Sequence, residues 1–407
     1  MTRICLNMIV KNEGGIIRET LNNILAHIPL DYWVICDTGS TDNTREEIVD
    51  FFTARQIPGE LHQDDWQDFA HNRNLALQRC VGKSDYVLIF DADDRFEGHM
   101  ELPTLSHDMY YLQLSNGGGG HVTYYRALLV KNHGQWYWRG VLHEFLALRQ
   151  SGDMNIGYIK GDYVVVSGRF GARSQQANKY LQDAHILKKA FEGPDDEDLK
   201  PRYAFYCAQS YRDAGHYEQA AKWYLTRIQL GQWREEVTCA YENLGQCYAD
   251  LNLEDKALMT WLKGYDYDPT RIECLYFAVK HLRQHGHCRL GYQLAKLAKA
   301  TPYPEEDVLF VKSRIYHFWI DYELSICAYY VQDFALGYQC CKHVLANNPP
   351  NNIAQTTISN LKFYKQHAAE DSRENVQQLL ANIQRVLPPN PSTSQQLLLN
   401  YFSQYLE

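Results

Sequence analysis

Four apolar residues run straight into a cluster of three carboxylates at Val87-Leu88-Ile89-Phe90-Asp91-Ala92-Asp93-Asp94, and few folds can house that junction. A continuous apolar run of this length reads as a strand covered on both faces, as in a mostly parallel sheet, and such sheets bind ligands where their strands end. The acids therefore stand at a site edge. Asp91 and Asp93 are two residues apart, so in an extended chain they point to one side and can share a divalent cation, or grip a ribose and a metal between them. Oxygen donors of this kind suit Mg²⁺ or Mn²⁺, with a diphosphate completing the shell. Taken alone, an Asp-x-Asp pair is more often an acidic turn after a strand, so its company decides the matter.

Three further segments supply that company. Ile4-Cys5-Leu6-Asn7-Met8-Ile9-Val10 is a buried strand, closed by Lys11-Asn12-Glu13-Gly14-Gly15 ahead of an amphipathic helix over residues 16–26. Glu13 lies at its ligand edge, although an ordinary turn explains it as well. Trp33-Val34-Ile35-Cys36 is the next strand, followed by Asp37-Thr38-Gly39-Ser40-Thr41-Asp42-Asn43-Thr44 and a helix through residue 53. Gly39 permits a tight turn, and Ser40, Thr41 and Asp42 can cap the helix. Capping leaves Asp37 unexplained: a carboxylate at a strand end can accept the imide N–H of a uracil or the hydroxyls of a ribose. A third helix with Phe69, Ala70, Arg73, Leu77 and Cys80 on one face brings Arg73 to the same edge, where a guanidinium suits a diphosphate. Its structural alternative is a pair with Asp65 or Asp68. Residues 110–114 and 124–130 read as strands joined through Asn116 and the glycines 117–120, a hairpin loop or a lid over a donor.

In their order and spacing, residues 9–13, 37–44, 68–77 and 90–94 resemble the landmarks of the family 2 glycosyltransferases with the GT-A fold, over roughly the first 165 residues. The resemblance implies an α/β GT-A nucleotide-sugar-binding domain and an inverting, metal-dependent transferase. Asp37 would hold the base or ribose, Arg73 the diphosphate side, and Asp91 with Asp93 the Mn²⁺ or Mg²⁺ ion. Gln135-Trp136-Tyr137-Trp138-Arg139-Gly140-Val141-Leu142-His143-Glu144-Phe145 is similar to the aromatic-glycine-His-Glu segment of a subset that includes the sublancin S-glycosyltransferase. This likeness implies Glu144 as general base and places His143 at the metal shell or the diphosphate. A surface strand end with a core-facing Val141 is the plainer reading. Ser167-Gly168-Arg169-Phe170-Gly171-Ala172-Arg173-Ser174 with Lys179 is a basic loop whose Arg169 can close on the donor diphosphate, or a plain linker.

From Tyr203 the period turns helical. Ala208, Tyr211, Gly215, Tyr217, Ala220 and Tyr224 match the small and aromatic knobs of a tetratricopeptide repeat, and Tyr248 and Ala257 follow Tyr211 and Ala220 by 37 residues, close to the repeat's period of about 34. Weaker copies cover 282–297 and 328–345. Residues 202–236 resemble the repeat region joined to glycosyltransferases in a bacterial and viral group. Such pairs bury their faces only by stacking, so an all-α solenoid is expected after the α/β domain. The expected division is 1–165 for the GT-A domain, 166–200 for the basic loop and a linker helix, 201–349 for the repeats and 350–407 for a helical cap. Within that cap Leu397, Leu398, Leu399, Tyr401 and Phe402 call for docking or for a homodimer contact.

Composition bounds the rest. The 407 residues, 45% hydrophobic and 22% charged, are a globular balance, and the net charge of -9 makes nucleic acid the least favoured partner. The eleven cysteines include no CxxC pair and read as reduced, buried small residues. No stretch approaches a membrane span and no signal peptide precedes the first strand, so a cytoplasmic enzyme is expected, in a host cytoplasm if viral. The expected partners are a nucleoside-diphosphate sugar, a UDP-sugar foremost, and a glycan or peptide/protein acceptor with a hydroxyl or thiol. One rival is a sugar nucleotidyltransferase, disfavoured because no glycine- and lysine-rich phosphate loop follows the first strand. The other is a non-catalytic repeat scaffold carrying a degenerate transferase domain.

Overall fold

The computed structural model describes residues 2–115, 123–150, 152–168, 178–194 and 197–406. The chain divides into two compact units, Met1–Gly231 with Val308–Val311, and Gln232–Asp307 with Lys312–Glu407.

The first unit is built on a mixed sheet. Its strands are β1 (Ile4–Val10), β2 (Tyr32–Asp37), β3 (Gly59–Gln63), β4 (Tyr86–Ile89), β5 (Arg95–Met100), β6 (Met109–Ser115), β7 (Thr123–Lys131), β10 (Ile156–Tyr158) and β11 (Gly161–Val166). The order is β3-β2-β1-β4-β7-β6-β11-β5, with β10 on β6. β3, β2, β1 and β4 are parallel, and β7 runs antiparallel to β4 and β6. Strands β8 (Trp136–Arg139) and β9 (Phe145–Leu148) form a separate hairpin. Helices α1 (Ile17–His27), α2 (Thr44–Ala54) and α3 (Phe69–Arg79) connect the parallel strands. This is the GT-A-like architecture expected from the sequence.

Strand pleating sorts the core into two layers. Ile4, Leu6, Met8 and Val10 join Leu88 and Phe90 against Ile17, Leu21 and Ile24 of α1 and Ile48 and Phe51 of α2. Cys5, Val87 and Ile89 turn to the other side, onto Ala76, Leu77 and Cys80 of α3 and Trp136 and Trp138 of β8. Both faces are covered, which is why these strands are apolar without alternation. The register Val10↔Asp37↔Gln63 levels the C-terminal ends of β1, β2 and β3. By the same alternation, the residue after Phe90 faces the α3 layer.

Three helices complete the first unit: α4 (Lys179–Glu192), α5 (Lys200–Asp213) and α6 (Tyr217–Leu230). Compactness thus keeps the first helical pair, α5 with α6, beside the sheet and draws its boundary after Gly231. The second unit contains α7 (Arg234–Asp250), α8 (Glu254–Tyr267), α9 (Glu273–Gln284), α10 (Cys288–Lys299), α11 (Ile320–Val331), α12 (Phe334–Ala346), α13 (Asn351–Leu361), α14 (Arg373–Val386) and α15 (Thr393–Ser403). Successive helices pack as hairpins, α7 on α8, α9 on α10 and α11 on α12. The repeat knobs Ala208, Ala220, Tyr224 and Ala257 are fully buried. Gly245 lets α7 and α8 approach: a Cβ there would lie 2.2 Å from the Trp261 indole nitrogen.

The tail docks on its own unit. Ser392 and Gln395 form a capping box at the start of α15, and Leu398 and Phe402 enter a core with Leu361, Tyr364, Val376 and Ile383, Leu399 and Tyr401 packing partly against it. Leu397 is left 64% exposed. All eleven cysteines are buried and free. Among the described residues, no helix is long and apolar enough to cross a membrane.

Candidate active site

The C-terminal edge of the parallel strands is assembled by two stitched loops and one arginine. Asp37 ends β2 and is 1% exposed. Its Oδ1 accepts from the amides of Gly39 (2.9 Å) and Ser40 (2.7 Å), a turn that Gly39 allows with φ of +100°. Its Oδ2 is buried with no hydrogen-bond partner, and Arg45 Nε stands 3.5 Å away. Of the residues expected to cap α2, Asp42 accepts that helix's first amide, from Thr44, at Oδ1 (3.1 Å), and the same segment also reaches the neighbouring loop. Ser40 Oγ accepts from the Asn12 amide (2.9 Å), Asp42 Oδ2 from the Gly14 amide (3.1 Å) and Thr44 Oγ1 from the Glu13 amide (2.8 Å). The N-cap of α2 is Asn43, whose side chain makes no capping bond and donates instead to Glu47 Oε1 at 3.1 Å. These polar groups tie the β2 loop to the β1 loop, because the two loops lie side by side at the ends of neighbouring parallel strands. Gly14 makes room: a Cβ there would meet Asn43 Oδ1 at 2.2 Å. Glu13 is thereby fixed at the edge, its carbonyl accepting the first amides of α1 from Ile16 and Ile17.

Arg73 is the organising residue. Asp68 caps α3 by accepting the His71 amide at 2.8 Å, worth about 1 kcal/mol, and Asp64 pairs with Arg79. Arg73 pairs instead with two acids distant in sequence. Its Nη2 donates to Asp91 Oδ1 at 2.5 Å and its Nε to Glu144 Oε1 at 2.7 Å, while the guanidinium lies 5.0 Å from the Trp138 ring centre. Arg126 of β7 donates from Nη1 to the other oxygen of Asp91 at 3.1 Å. Burial works against the charge of Asp91, but the Arg73 and Arg126 guanidiniums outweigh it and hold the carboxyl below the usual range.

The extended-chain expectation for Asp91 and Asp93 is corrected. The chain turns at Ala92-Asp93, with the Asp94 amide bonded to the Asp91 carbonyl at 3.2 Å. Ala92 is drawn into the apolar layer of α1, where its carbonyl accepts from Thr20 Oγ1 at 2.6 Å. The acids therefore fan out: Asp91 toward α3, Asp93 at the turn, and Asp94 inward. Asp94 Oδ1 accepts from Ser167 Oγ at 2.9 Å, but its Oδ2 is buried without a hydrogen-bond partner. Burial, then the neighbouring Asp91 carboxylate, push this carboxyl up to about 7. The chain after β11 comes back here, since a Cβ on Gly168 would lie 1.8 Å from the Asp93 carbonyl oxygen. Arg169 lies outside the described residues.

Glu144 reaches Arg73 through a sharp turn after β8, with Gly140 at φ +101° and His143 at φ +53°. Leu142 is buried and Val141 half-buried, so Leu142 fills the core position that the plainer, surface-strand reading gave to Val141. His143 diverges from Glu144: its ring stacks on Tyr206 of α5 at 3.9 Å, and its carbonyl accepts from Arg202 Nε (2.9 Å) and Nη2 (2.7 Å). Beside the turn, a cavity of about 450 Å³ is lined by Asp68, Tyr137, Trp138, Gly140 and Tyr203, among others. Sequence reasoning missed Arg126. Its signal was a lone arginine within an aromatic and apolar strand, which cannot be buried without carboxylate partners.

Residues 5–138 match the family model described as glycosyl transferase family 2, so the N-terminal part of the chain carries a family 2 glycosyltransferase domain. This supports a glycosyltransferase. No curated protein matches the chain. Among solved structures, it is similar to YrrB, a TPR protein with an unusual peptide-binding site, at 14% identity and a TM-score of 0.36, over 54% of this chain and 99% of that one. It is also similar to BtubC (BKLC) from P. vanneervenii, at 17% identity and a TM-score of 0.37 over 54% and 95% of the two chains. A third is TTC0263, a thermophilic TPR protein of Thermus thermophilus, at 14% identity and 0.29 over 51% and 98%.

Proposed function

We propose that the chain is an inverting glycosyltransferase that moves a sugar from a nucleoside diphosphate, UDP foremost, to a hydroxyl or thiol of a glycan or peptide, with a divalent cation. The observation that carries this reading is the grip of one guanidinium, Arg73, on Asp91 from the end of β4 and Glu144 from the turn after β8. Two carboxylates from distant segments thus meet at one guanidinium at the sheet edge, and this reading assigns Asp91 to the donor side and Glu144 to the acceptor. Asp37 Oδ2, buried without a hydrogen bond, suits the imide N–H of a uracil, since an unmet buried acceptor costs about 1–3 kcal/mol until a donor arrives.

Glu144 takes the acceptor's proton as the acceptor oxygen or sulfur forms its bond to C1 of the sugar and the bond from C1 to the diphosphate breaks on the opposite face. Arg73 and Arg126 meet the diphosphate. Their uptake of that dianion releases the carboxylates they neutralise in its absence, which readies Glu144. What favours a cation is the buried oxygen of Asp94 without a hydrogen bond, a group that positive charge relieves, while Asp91, Asp93 and Asp94 leave their turn in different directions and would have to converge on the ion. Asp91 and Asp93 would hold Mg²⁺ or Mn²⁺, which supplies charge neutralisation for the leaving diphosphate.

The test is a thermal-shift panel of nucleotide sugars with and without Mn²⁺. A donor at about 100 times its Kd stabilises by about 2.7 kcal/mol. We expect a UDP-sugar to shift the melting temperature only with Mn²⁺ and to do so no longer in Asp93→Asn. If no nucleotide sugar shifts it, while a nucleoside triphosphate and a sugar phosphate release pyrophosphate, the chain is a nucleotidyltransferase instead.

A further inference from the structure

Helices α8 and α9 of the second unit bring together three donors that glycosyl transfer does not use. His281 lies on α9 and His285, four residues on, is the C-cap that ends it, so both imidazoles leave the same side of that helix, and Glu254 is the first residue of α8. One carboxylate oxygen of Glu254 and one nitrogen of each ring all lie within 4.8 Å of one another, with Glu254 and His285 exposed and His281 half-buried.

The hydrogen bonds fix which nitrogen is offered. Nδ1 of His285 lies 2.8 Å from the carbonyl oxygen of His281. A carbonyl only accepts, so Nδ1 carries the proton, and the neutral ring presents a lone pair at Nε2. That Nε2 stands 3.1 Å from Glu254 Oε1. A lone pair facing a carboxylate is repulsive unless positive charge lies between them. A proton on His285 satisfies that one contact. It does not satisfy the second ring, whose centre is 4.2 Å from the first. A divalent ion meets both rings in their neutral form and the carboxylate at once. The bond from Nδ1–H to a carbonyl is also the outer contact that orients metal-binding histidines.

We propose that Glu254, His281 and His285 bind a divalent transition-metal ion, Zn²⁺ foremost, that clips α8 to α9. Two imidazoles exclude Mg²⁺ and Ca²⁺ as the preferred ion, and three protein donors leave a fourth position for water. Tetrahedral bonds of about 2.0–2.2 Å set donor atoms about 3.3 Å apart, within about 1.5 Å of the separations present, which are all 4.8 Å or less. The site is independent of the carboxylates of the transferase domain, which suit a harder cation.

The test is a Co²⁺ titration of the full chain in the Asp93→Asn background, read by visible absorption and followed by displacement with Zn²⁺. One equivalent of tetrahedral Co²⁺ is expected, displaced by Zn²⁺, with a rise in melting temperature. His281→Ala and His285→Gln should each weaken binding by at least about tenfold, and Glu254→Gln should do so with both histidines intact. All three positions are at least partly exposed, and circular dichroism verifies each fold. Absence of tetrahedral bands, or bands that persist unchanged in His285→Gln and Glu254→Gln, overturns the site.

Discussion

The Arg73 cluster at the sheet edge and the Arg271 cluster among the helices are made of the same groups, a buried guanidinium among carboxylates, yet they differ in how fully they are bonded. In the helical unit each oxygen of Glu273 accepts twice. Oε1 takes Arg271 Nη2 (2.8 Å) and the Lys312 amide (3.1 Å), and Oε2 takes Arg271 Nε (3.0 Å) and the Tyr316 hydroxyl (3.0 Å). Arg271 then continues through Nη1 to Asp307 Oδ2 at 3.2 Å. Around the Arg73 cluster, Asp37 and Asp94 each keep one buried oxygen without a hydrogen bond. The first arrangement is complete without a ligand and serves the fold. The second has beside it two buried carboxylate oxygens without a hydrogen bond, that of Asp37 with only Arg45 Nε at 3.5 Å, at a local cost of about 1–3 kcal/mol for each.

The largest expected effect tests whether the incomplete cluster is chemical. Glu144→Gln keeps the shape of the side chain and an oxygen for Arg73 but removes the base. Transfer should fall by about 10²–10⁴-fold with nucleotide-sugar binding retained. Transfer near the wild-type rate would return Glu144 to a structural role. The complete cluster should behave in the opposite way. Arg271→Met leaves Glu273 buried without its guanidinium, while Asp307 keeps Arg234, and denaturant unfolding should show a loss of about 3–5 kcal/mol. The transfer rate per folded molecule should not change, and a lower rate would mean that the helical cluster also serves the chemistry. A smaller effect is expected at Asp37. Asp37→Asn preserves the acceptor for the Gly39 and Ser40 amides but turns the unmet oxygen into a donor. Affinity for the nucleotide should fall by about 1–3 kcal/mol in calorimetry, with the melting temperature of the free protein little changed. Equal affinity of wild type and variant would remove Asp37 from base or ribose recognition.

The contrast also explains what could be read from the chain alone. The buried strands and Arg73 at their edge were legible because an apolar run fixes a two-sided strand and its pleat fixes which layer each residue meets. The repeat helices were legible from Ala220, Tyr224 and Ala257, small or aromatic residues at helical spacing. The fanning of Asp91, Asp93 and Asp94 was not, since it depends on Ala92 being drawn into the α1 layer, a tertiary demand that overrides local extension. The grip on Asp91 was half legible. Arg73 sits on a helix with a readable face, whereas Arg126 comes from β7, whose place beside β4 is set by a crossover that no local pattern encodes. The division of labour between His143 and Glu144 was also hidden, because it follows from Tyr206, far along the chain, offering a ring for His143 to stack upon.

A third carboxylate separates the two properties that the comparison joins, completeness and burial. Glu60 on β3 is fully engaged: Lys83 and the Tyr32 hydroxyl donate to Oε1, the latter at 2.8 Å, and His62 Nε2 meets Oε2 at 2.9 Å. Its side chain is nevertheless 31% exposed. The bonds from Lys83, Tyr32 and His62 lower its pKa to about 2. A depressed carboxylate pKa contributes stability that is present above the unfolded value of about 4.3 and lost as the pH falls toward 2. Solvent screening limits that contribution, so Glu60→Gln should lower stability at pH 7 by less than about 1 kcal/mol. The gap in melting temperature between wild type and variant should hold from pH 7 to 5 and narrow below about 4.5. A gap as large as that of Arg271→Met would mean that bonding alone, without burial, makes a charge cluster costly to break. A gap that stays constant down to pH 3.5 would show that the ionised form of Glu60 is not what the fold uses.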